Sequence, residues 1–267
     1  MNYSKLIGLV ATHLMKTTCT YCGAETFARS EHSACNFCEL MPSDDTADKI
    51  LLPSSETISK MQEIHALIKS GDIDSAAAKT EQMANISTNP YVLYIAGRLY
   101  LRMSDIAYHG VNYNLKGFME ANAETREKGL RLEAKAREYF YKAIFAIDTM
   151  HDVKSNTLLY VKFIALMRLG RYADAEKVLH ALSENTSASR YSAMVYETFT
   201  NSKNAIERIK ANIPKELNAF YYLAKYLAKN GKSNDAQTLL EKVMKIAELD
   251  MAFDLTEKIK QLKSETE

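Results

Sequence analysis

Hydrophobic residues recur every three or four positions along much of this chain, a spacing that places them on one face of an α-helix. Near the C-terminus, Phe253, Leu255, Ile259 and Leu262 follow this spacing. They predict a closing helix at about 250–264 that covers the last repeat. The pattern favours an all-α fold, and the low content of helix-breaking residues, 9 glycines and 4 prolines, agrees with it.

A glycine followed five residues later by an alanine occurs three times in similar surroundings. The three segments read SGDIDSAAAKTEQM, LGRYADAEKVLHAL and NGKSNDAQTLLEKV. Their pairs are Gly71 and Ala76, Gly170 and Ala175, and Gly231 and Ala236. Glycine adopts the positive φ that ends a helix, and alanine lets two helices lie close together. Each segment therefore predicts the turn of a helical hairpin.

These hairpins resemble the tetratricopeptide repeat, whose first helix carries W-x2-L-G-x2-Y and whose second carries A-x3-F. The matching residues of the second hairpin are Leu93, Ala96, Gly97, Tyr100, Ala136, Phe140 and Ala143. The matching residues of the last hairpin are Phe220, Leu223, Ala224, Leu227, Gly231, Ala236, Leu240 and Val243. The resemblance implies a solenoid of stacked helical hairpins.

The resemblance covers about residues 58–248. A degenerate unit is predicted at about 187–214, with Ala205 and Ile209 at its core positions. The second hairpin carries an insertion at about 104–133, which is longer than the family pattern permits. We expect a protruding helix extension there, at which function was added, although its aromatic residues also suit packing of the turn against a neighbouring helix.

All four cysteines of the chain lie within twenty positions, in the stretch CTYCGAETFARSEHSACNFC. Cys19 and Cys22 form one C-x2-C pair, and Cys35 and Cys38 form another. Each pair suits a tight turn that points two thiolates at one ion, and Gly23 relieves the backbone where the first turn closes. The segment resembles a small zinc ribbon, and one structural zinc ion is the predicted cofactor.

Other interpretations of the cysteines stay open. Iron held by four thiolates is chemically possible, and the sequence alone does not distinguish it from zinc. Two disulfides would need an oxidising compartment, and a redox C-x-x-C normally occurs singly in a βαβ setting. His32 is expected to be an exposed loop histidine, although it could also replace one ligand. Because four protein thiolates leave no coordination position for water, the predicted ion is structural and not catalytic.

The sequence predicts three segments with different composition. Residues 1–41 form the zinc-ribbon-like module, and residues 42–57, which contain two prolines and several Asp and Ser residues, form a linker. Residues 58–267 form the helical repeat domain. Within the linker, Pro53-Ser54-Ser55-Glu56 suits the start of a helix, because serine side chains cap free backbone N–H groups.

Charge argues against a global attraction to nucleic acids or membranes, since 34 basic and 33 acidic side chains give a net charge of +1. The first forty residues are also balanced, with three basic and three acidic side chains. Phosphate contacts dominate nucleic-acid affinity, and a neutral module offers few of them. Its aromatic residues suit either base stacking or a small core.

The resemblance further implies a concave groove, lined by the first helix of each hairpin, that takes an extended peptide or a partner helix. Aligned on the family pattern, tyrosines fall at one equivalent position and basic residues follow four and eight positions later. These groove residues are Tyr94, Arg98, Arg102, Tyr160, Arg168, Tyr221, Lys225 and Lys229. The stripe suits an acidic peptide or a terminal carboxylate. The helix dipole, however, favours basic residues near a helix C-terminus whatever they bind.

Catalytic motifs are missing from the sequence: it contains no G-x-S-x-G, H-E-x-x-H, G-x-G-x-x-G or phosphate-binding glycine loop. The apolar run from Leu6 to Ala11 is shorter than the roughly 7–15 residues of a signal peptide, and no stretch reaches the roughly 18 residues of a membrane span. We therefore expect a non-enzymatic, cytoplasmic scaffold that binds a protein or peptide. The alternative is a regulator that contacts nucleic acid or the transcription machinery through the ribbon.

Overall fold

Paired α-helices make up most of the chain, and a small β-hairpin precedes them in sequence. The structure, a computed structural model, describes residues 15–28, 30, 33–42, 51–109, 123–150, 155–184, 186–213, 216 and 218–249. These residues contain ten helices and one two-stranded sheet, which confirms the predicted all-α character. The predicted closing helix at about 250–264 lies outside the described residues, as do residues 110–122 of the insertion.

Ten helices follow one another in the described residues. They are α1 (Ser55–Ser70), α2 (Ile73–Asn85), α3 (Pro90–His109), α4 (Ala123–Asp148), α5 (Asn156–Arg168), α6 (Tyr172–Ala181), α7 (Ser187–Thr200), α8 (Ala205–Asn212), α9 (Ala219–Lys229) and α10 (Ser233–Leu249). Each odd-numbered helix packs against the helix that follows it, so the described chain contains five helical hairpins. The architecture is therefore that of a helical repeat.

The sheet consists of β1 (Met15–Thr18) and β2 (Glu25–Ala28), which pair antiparallel. Met15 lies opposite Ala28, and Thr18 lies opposite Glu25. The connection between the strands is residues 19–24, which contain the first C-x2-C pair. A hairpin thus presents Cys19 and Cys22 at its turn.

The described residues divide into two compact units. One contains residues 19–24 and helices α1–α6, and the other contains both strands, residues 33–42 and helices α7–α10. The sequence-based boundaries are drawn differently, with a linker at 42–57. In the structure α1 already begins at Ser55, and Ser54 caps it as predicted, because its Oγ accepts a hydrogen bond from the Thr57 N–H at 3.2 Å.

The three predicted hairpin turns share one backbone conformation. Their glycines, Gly71, Gly170 and Gly231, have φ of 83°, 72° and 72°. In each turn the N–H of the residue after the glycine donates to the carbonyl five residues earlier, at 2.9–3.0 Å. The alanine five residues after each glycine is completely buried. The turn and the close helix contact that the sequence predicts are both present, three times over.

The degenerate hairpin of α7 and α8 uses a different residue at the same turn. Asn201 ends α7 with φ 56°, and the N–H of Ser202 donates to the Glu197 carbonyl at 2.9 Å, as in the glycine turns. Asparagine is the residue that most readily replaces glycine in this left-handed conformation. Ala205 and Ile209 are completely buried, as predicted.

Helices α3 and α4 form the longest hairpin. At Gly97 a Cβ atom would lie 2.6 Å from the Phe140 ring, so the absence of a side chain there lets the two helices approach. Beyond that point the extended part of α3 still contacts α4, because the Ser104 hydroxyl donates to the Gly129 carbonyl at 2.9 Å. The predicted insertion therefore begins as a continuation of the paired helices.

Side chains also connect α2 to α4 in a constant register. Lys135 pairs with Glu81 at 3.0 Å, and the Tyr139 hydroxyl donates to Asn85 Oδ1 at 3.1 Å, both across 54 residues. A constant separation between two helices means that they run parallel. Second helices of successive hairpins are parallel in a stacked helical repeat.

We predict that Gly170→Ala destabilises the protein by about 1–2 kcal/mol, because an L-residue at this positive φ is strained. A Cβ at this position would meet no described atom within 4 Å, so the cost is one of backbone conformation alone. Gly170→Asn should lose less, since asparagine already occupies the equivalent turn at Asn201. Urea denaturation followed by circular dichroism measures both; equal losses for Ala and Asn would contradict this account.

Candidate metal centre and interaction surface

The four cysteine side chains converge on one point. Their sulfur atoms all lie within 4.8 Å of one another, and all four residues are buried. In a tetrahedral site with Zn–S bonds of about 2.3 Å, neighbouring sulfur atoms are about 3.8 Å apart. The sulfur atoms therefore need to close by at most about 1 Å to bind a single ion.

Both C-x2-C turns have the same backbone hydrogen bonds. In the first turn the Gly23 N–H donates to the Cys19 carbonyl and the Cys19 N–H donates to the Ala24 carbonyl, each at 2.9 Å. In the second turn the N–H groups of Glu39 and Cys35 make the corresponding bonds to the Cys35 and Leu40 carbonyls, each at 2.9 Å. We call residues 19–24 the first knuckle and residues 35–40 the second knuckle. Two copies of one turn thus supply two thiols each.

The residue after the second cysteine of each knuckle has a left-handed backbone. It is Gly23 in the first knuckle, with φ 69°, and Glu39 in the second, with φ 63°. Sequence reasoning identified the glycine and missed the glutamate, because glutamate is uncommon in this conformation. The convergence of the four thiols is one arrangement that can hold such a residue in place.

The first knuckle packs against α1 and α3. The Tyr21 and Tyr91 rings lie 5.1 Å apart between centroids, and both side chains are buried. Gln62 Nε2 donates to the Gly23 carbonyl at 3.3 Å. A Cβ on Gly23 would lie 2.8 Å from Gln62 Cγ and 3.2 Å from the carbonyl oxygen of Ile58. Tyr21, one of the aromatic residues noted in the sequence, therefore serves as a core residue here.

The second knuckle is held by polar side chains. The Asn36 N–H donates to Thr26 Oγ1 at 3.0 Å, and that hydroxyl donates to Asn36 Oδ1 at 2.8 Å, which ties the knuckle to β2. A second contact comes from Glu216, whose Oε2 accepts from the Ala34 N–H at 3.0 Å. This contact spans 182 residues, and no local sequence signal indicates it.

The surface of the β-hairpin offers little positive charge in its described part. Lys16 pairs with Glu25 at 2.8 Å, and the two residues lie on neighbouring strands. Arg29 and His32 lie outside the described residues. The structure therefore adds no observation in favour of a nucleic-acid contact through this segment.

The predicted groove residues of α3 and α5 are mostly buried. Tyr94 and Tyr160 have 0% of their surface exposed, and Arg98 and Arg102 are also buried, while Arg168 is half-buried. The Tyr94 ring packs 5.7 Å from the Phe140 ring between centroids. Both tyrosines thus belong to the core and present no surface to a ligand in this structure.

The predicted groove residues of α9 contact α7. Lys225 Nζ lies 4.6 Å from the centroid of the Phe199 ring, and Lys229 Nζ donates to the Phe199 carbonyl at 3.1 Å. Tyr221 is half-buried, with Lys225 Nζ 5.8 Å from its ring centroid. The pKa of Lys229 is lowered, mainly because the side chain is partly buried and secondly because the Lys225 charge is nearby. Both lysines are therefore engaged in packing of the helices.

A cleft of about 590 Å³ opens at the C-terminal ends of α2 and α4. We call it the α2–α4 cleft. Its lining residues are Ala84, Asn85, Ser87, Thr88, Leu93, Tyr141, Lys142, Phe145, Ala146, Thr149 and Met150. Phe145 has 70% of its surface exposed, and Ile86, between two lining residues, has 80% exposed. Sequence reasoning missed this surface, because Tyr141 and Phe145 alternate with buried aromatic residues on the same helix.

Several polar groups at the α2–α4 cleft are already bound within the chain. Asn85 Oδ1 accepts from the Tyr139 hydroxyl, and Thr149 Oγ1 donates to the Ala146 carbonyl at 2.9 Å. Lys142 Nζ pairs with Glu138 at 2.6 Å, and this hydrogen bond lowers the pKa of Glu138. The cleft therefore offers apolar contact first and few uncommitted polar groups.

Within the described residues, no helix combines the length and the hydrophobicity that a bilayer crossing needs. A scan against protein-family models and searches of curated proteins and of solved structures each found no match.

We predict that Gly23→Ala destabilises the protein more than Gly170→Ala does. Both glycines have φ near 70°, but only at position 23 would the new Cβ crowd Gln62 and the Ile58 backbone. The excess should be roughly 1–3 kcal/mol, the usual cost of overpacking. Urea denaturation of the two variants measures it, and equal destabilisation would show that the first knuckle does not press against α1.

Proposed function

We propose that the chain holds one structural zinc ion between Cys19, Cys22, Cys35 and Cys38. The observation that carries this proposal is the burial of four sulfur atoms within 4.8 Å of one another. Thiolates are the preferred ligands of zinc in structural sites, and four of them complete its tetrahedral coordination. Such an ion has no open position for water, so its role is to stabilise the fold.

The ion also balances charge. Four thiolates buried together repel one another, and each loses hydration on burial. A divalent cation at their centre offsets both costs, and its binding free energy contributes directly to folding. This explains how a segment as short as residues 15–42 keeps two knuckles in place without a large core of its own.

We further propose that the helices are tetratricopeptide-like repeats that act as a non-enzymatic scaffold for a protein partner. Support comes from the shared glycine turns, the buried alanines and the approach of α3 and α4 at Gly97. The α2–α4 cleft is the surface that favours partner binding, since exposed aromatic side chains around a concavity are typical of such sites.

The partner at this cleft is proposed to be a protein segment that inserts apolar side chains. The cleft volume lies within the range of roughly 300–1,000 Å³ that suits a compact ligand or a few side chains. An acidic peptide held by the predicted tyrosine and basic stripe gains less support, since Tyr94 and Tyr160 are buried. We place the protein in the cytoplasm, where thiols stay reduced.

Elemental analysis of the purified chain should find about one zinc ion per molecule, because four thiolates bind one ion. Cys19→Ser should release it, and Cys35→Ser should do the same from the other knuckle. Iron in place of zinc, or disulfides detected by mass spectrometry in protein from the cytosol, would contradict the proposal.

For the partner, a photoreactive benzoylphenylalanine at position 145 should crosslink to a protein in cells, since this side chain protrudes at the cleft. The matched control is the same group at position 130, because Leu130 lies on the same helix, is 60% exposed and does not line the cleft. Tyr141→Asp should reduce the crosslink from position 145. Equal crosslinking from both positions would rule out this cleft as the partner site.

A further inference from the structure

A buried carboxylate contacts the backbone immediately before the second knuckle. Glu216 lies between α8 and α9, and its Oε2 accepts a hydrogen bond from the N–H of Ala34 at 3.0 Å. Ala34 directly precedes the metal ligand Cys35, and all three residues are buried. A buried carboxyl side chain thus contacts the main chain next to a candidate ligand.

Glu216 is itself fixed by the helices on either side of it. Its N–H donates to the carbonyl of Asn212, the last residue of α8, at 2.8 Å. Its carbonyl accepts from the N–H of Ala219, the first residue of α9, at 3.1 Å. These two bonds fix the backbone of Glu216 between the helix ends, and the Glu216 side chain connects that backbone to the Ala34 N–H.

Charge alone does not explain a carboxylate here. A divalent ion with four thiolates keeps an excess of negative charge, and a further negative group nearby is electrostatically unfavourable. A buried carboxylate is tolerated only when it is hydrogen-bonded, and a bond from a backbone N–H to a carboxylate is stronger than one to a neutral acceptor. The observed contribution of Glu216 to the second knuckle is therefore this hydrogen bond.

We propose that Glu216 is a positioning residue of the metal centre. By holding the Ala34 N–H, it sets the place of the second knuckle, and with it the sulfur atoms of Cys35 and Cys38. This inference rests on the proposed zinc site and deepens it. It makes metal affinity depend on Glu216, although this residue lies far from the cysteines in sequence.

The test measures zinc affinity of the full chain by competition with a chromophoric chelator. Glu216→Ala should weaken zinc binding roughly 10–100-fold, the usual effect of removing a group that orients a ligand. Glu216→Gln, which keeps an oxygen acceptor of the same reach, should recover most of the affinity. Glu207→Ala is the matched control, since it removes an exposed glutamate from α8 and should leave the affinity unchanged.

Two further readouts separate positioning from a general loss of stability. Cobalt substituted for zinc should show altered ligand-field bands in Glu216→Ala, because the sulfur geometry changes. Hydrogen exchange of the Ala34 amide in the zinc form should become faster in this variant and stay slow in Glu207→Ala. If Glu216→Ala does not fold, Glu216→Gln carries the same comparison, with a smaller loss of affinity and a smaller spectral change expected.

The possible failures are distinguishable. Wild-type protein that holds zinc, with Glu216→Ala equal to it in affinity, cobalt spectrum and amide exchange, would overturn the positioning role and leave the zinc site intact. Wild-type protein that holds no metal at all would overturn the zinc site, and the positioning role with it.

Discussion

Four buried sulfur atoms that lie within 4.8 Å of one another fix how the two cysteine-bearing knuckles are placed. Each knuckle is a tight turn whose backbone bonds bring two thiols to the same side. In both turns the residue after the second cysteine has a left-handed backbone. Gly23 adopts this conformation readily, whereas Glu39 adopts it at a conformational cost. A cation at their centre would attract four thiolates, which repel one another in its absence.

In the helical part, the feature that recurs is a close contact between neighbouring helices at small residues. Small residues recur where helices meet: an alanine after each turn, and Gly97 against Phe140. In a helical repeat, a single hairpin has an apolar face that a neighbouring hairpin covers. The constant register between α2 and α4 shows that these second helices of successive hairpins run parallel.

The sequence predicted the features that depend on residues close together in the chain and on one required backbone conformation. Cysteine spacing predicted the four-thiol cluster, and glycine followed by alanine predicted three turns. The groove residues were harder to place, because burial of a helix face depends on its neighbours. Helix α3 contacts α1, α2, α4 and α5, and every residue from Tyr91 to Tyr100 is buried, so Tyr94 could not remain on a surface. Contacts such as that of Glu216 with Ala34 join residues too distant for any pattern to connect.

The chain contains 16 tyrosines and no tryptophan, and this has a practical consequence at the first knuckle. Tyr21 belongs to the knuckle and Tyr91 to α3, and their buried rings are fixed at an angle of 49°. Two aromatic chromophores locked in an asymmetric contact give a near-ultraviolet circular dichroism signal that vanishes when either ring rotates freely. Other tyrosine pairs, such as Tyr100 with Tyr139, contribute to the same spectrum, so the part of the signal that Tyr21→Leu removes is the part that reports, without a label, whether the cysteine-bearing turn is seated on the helices.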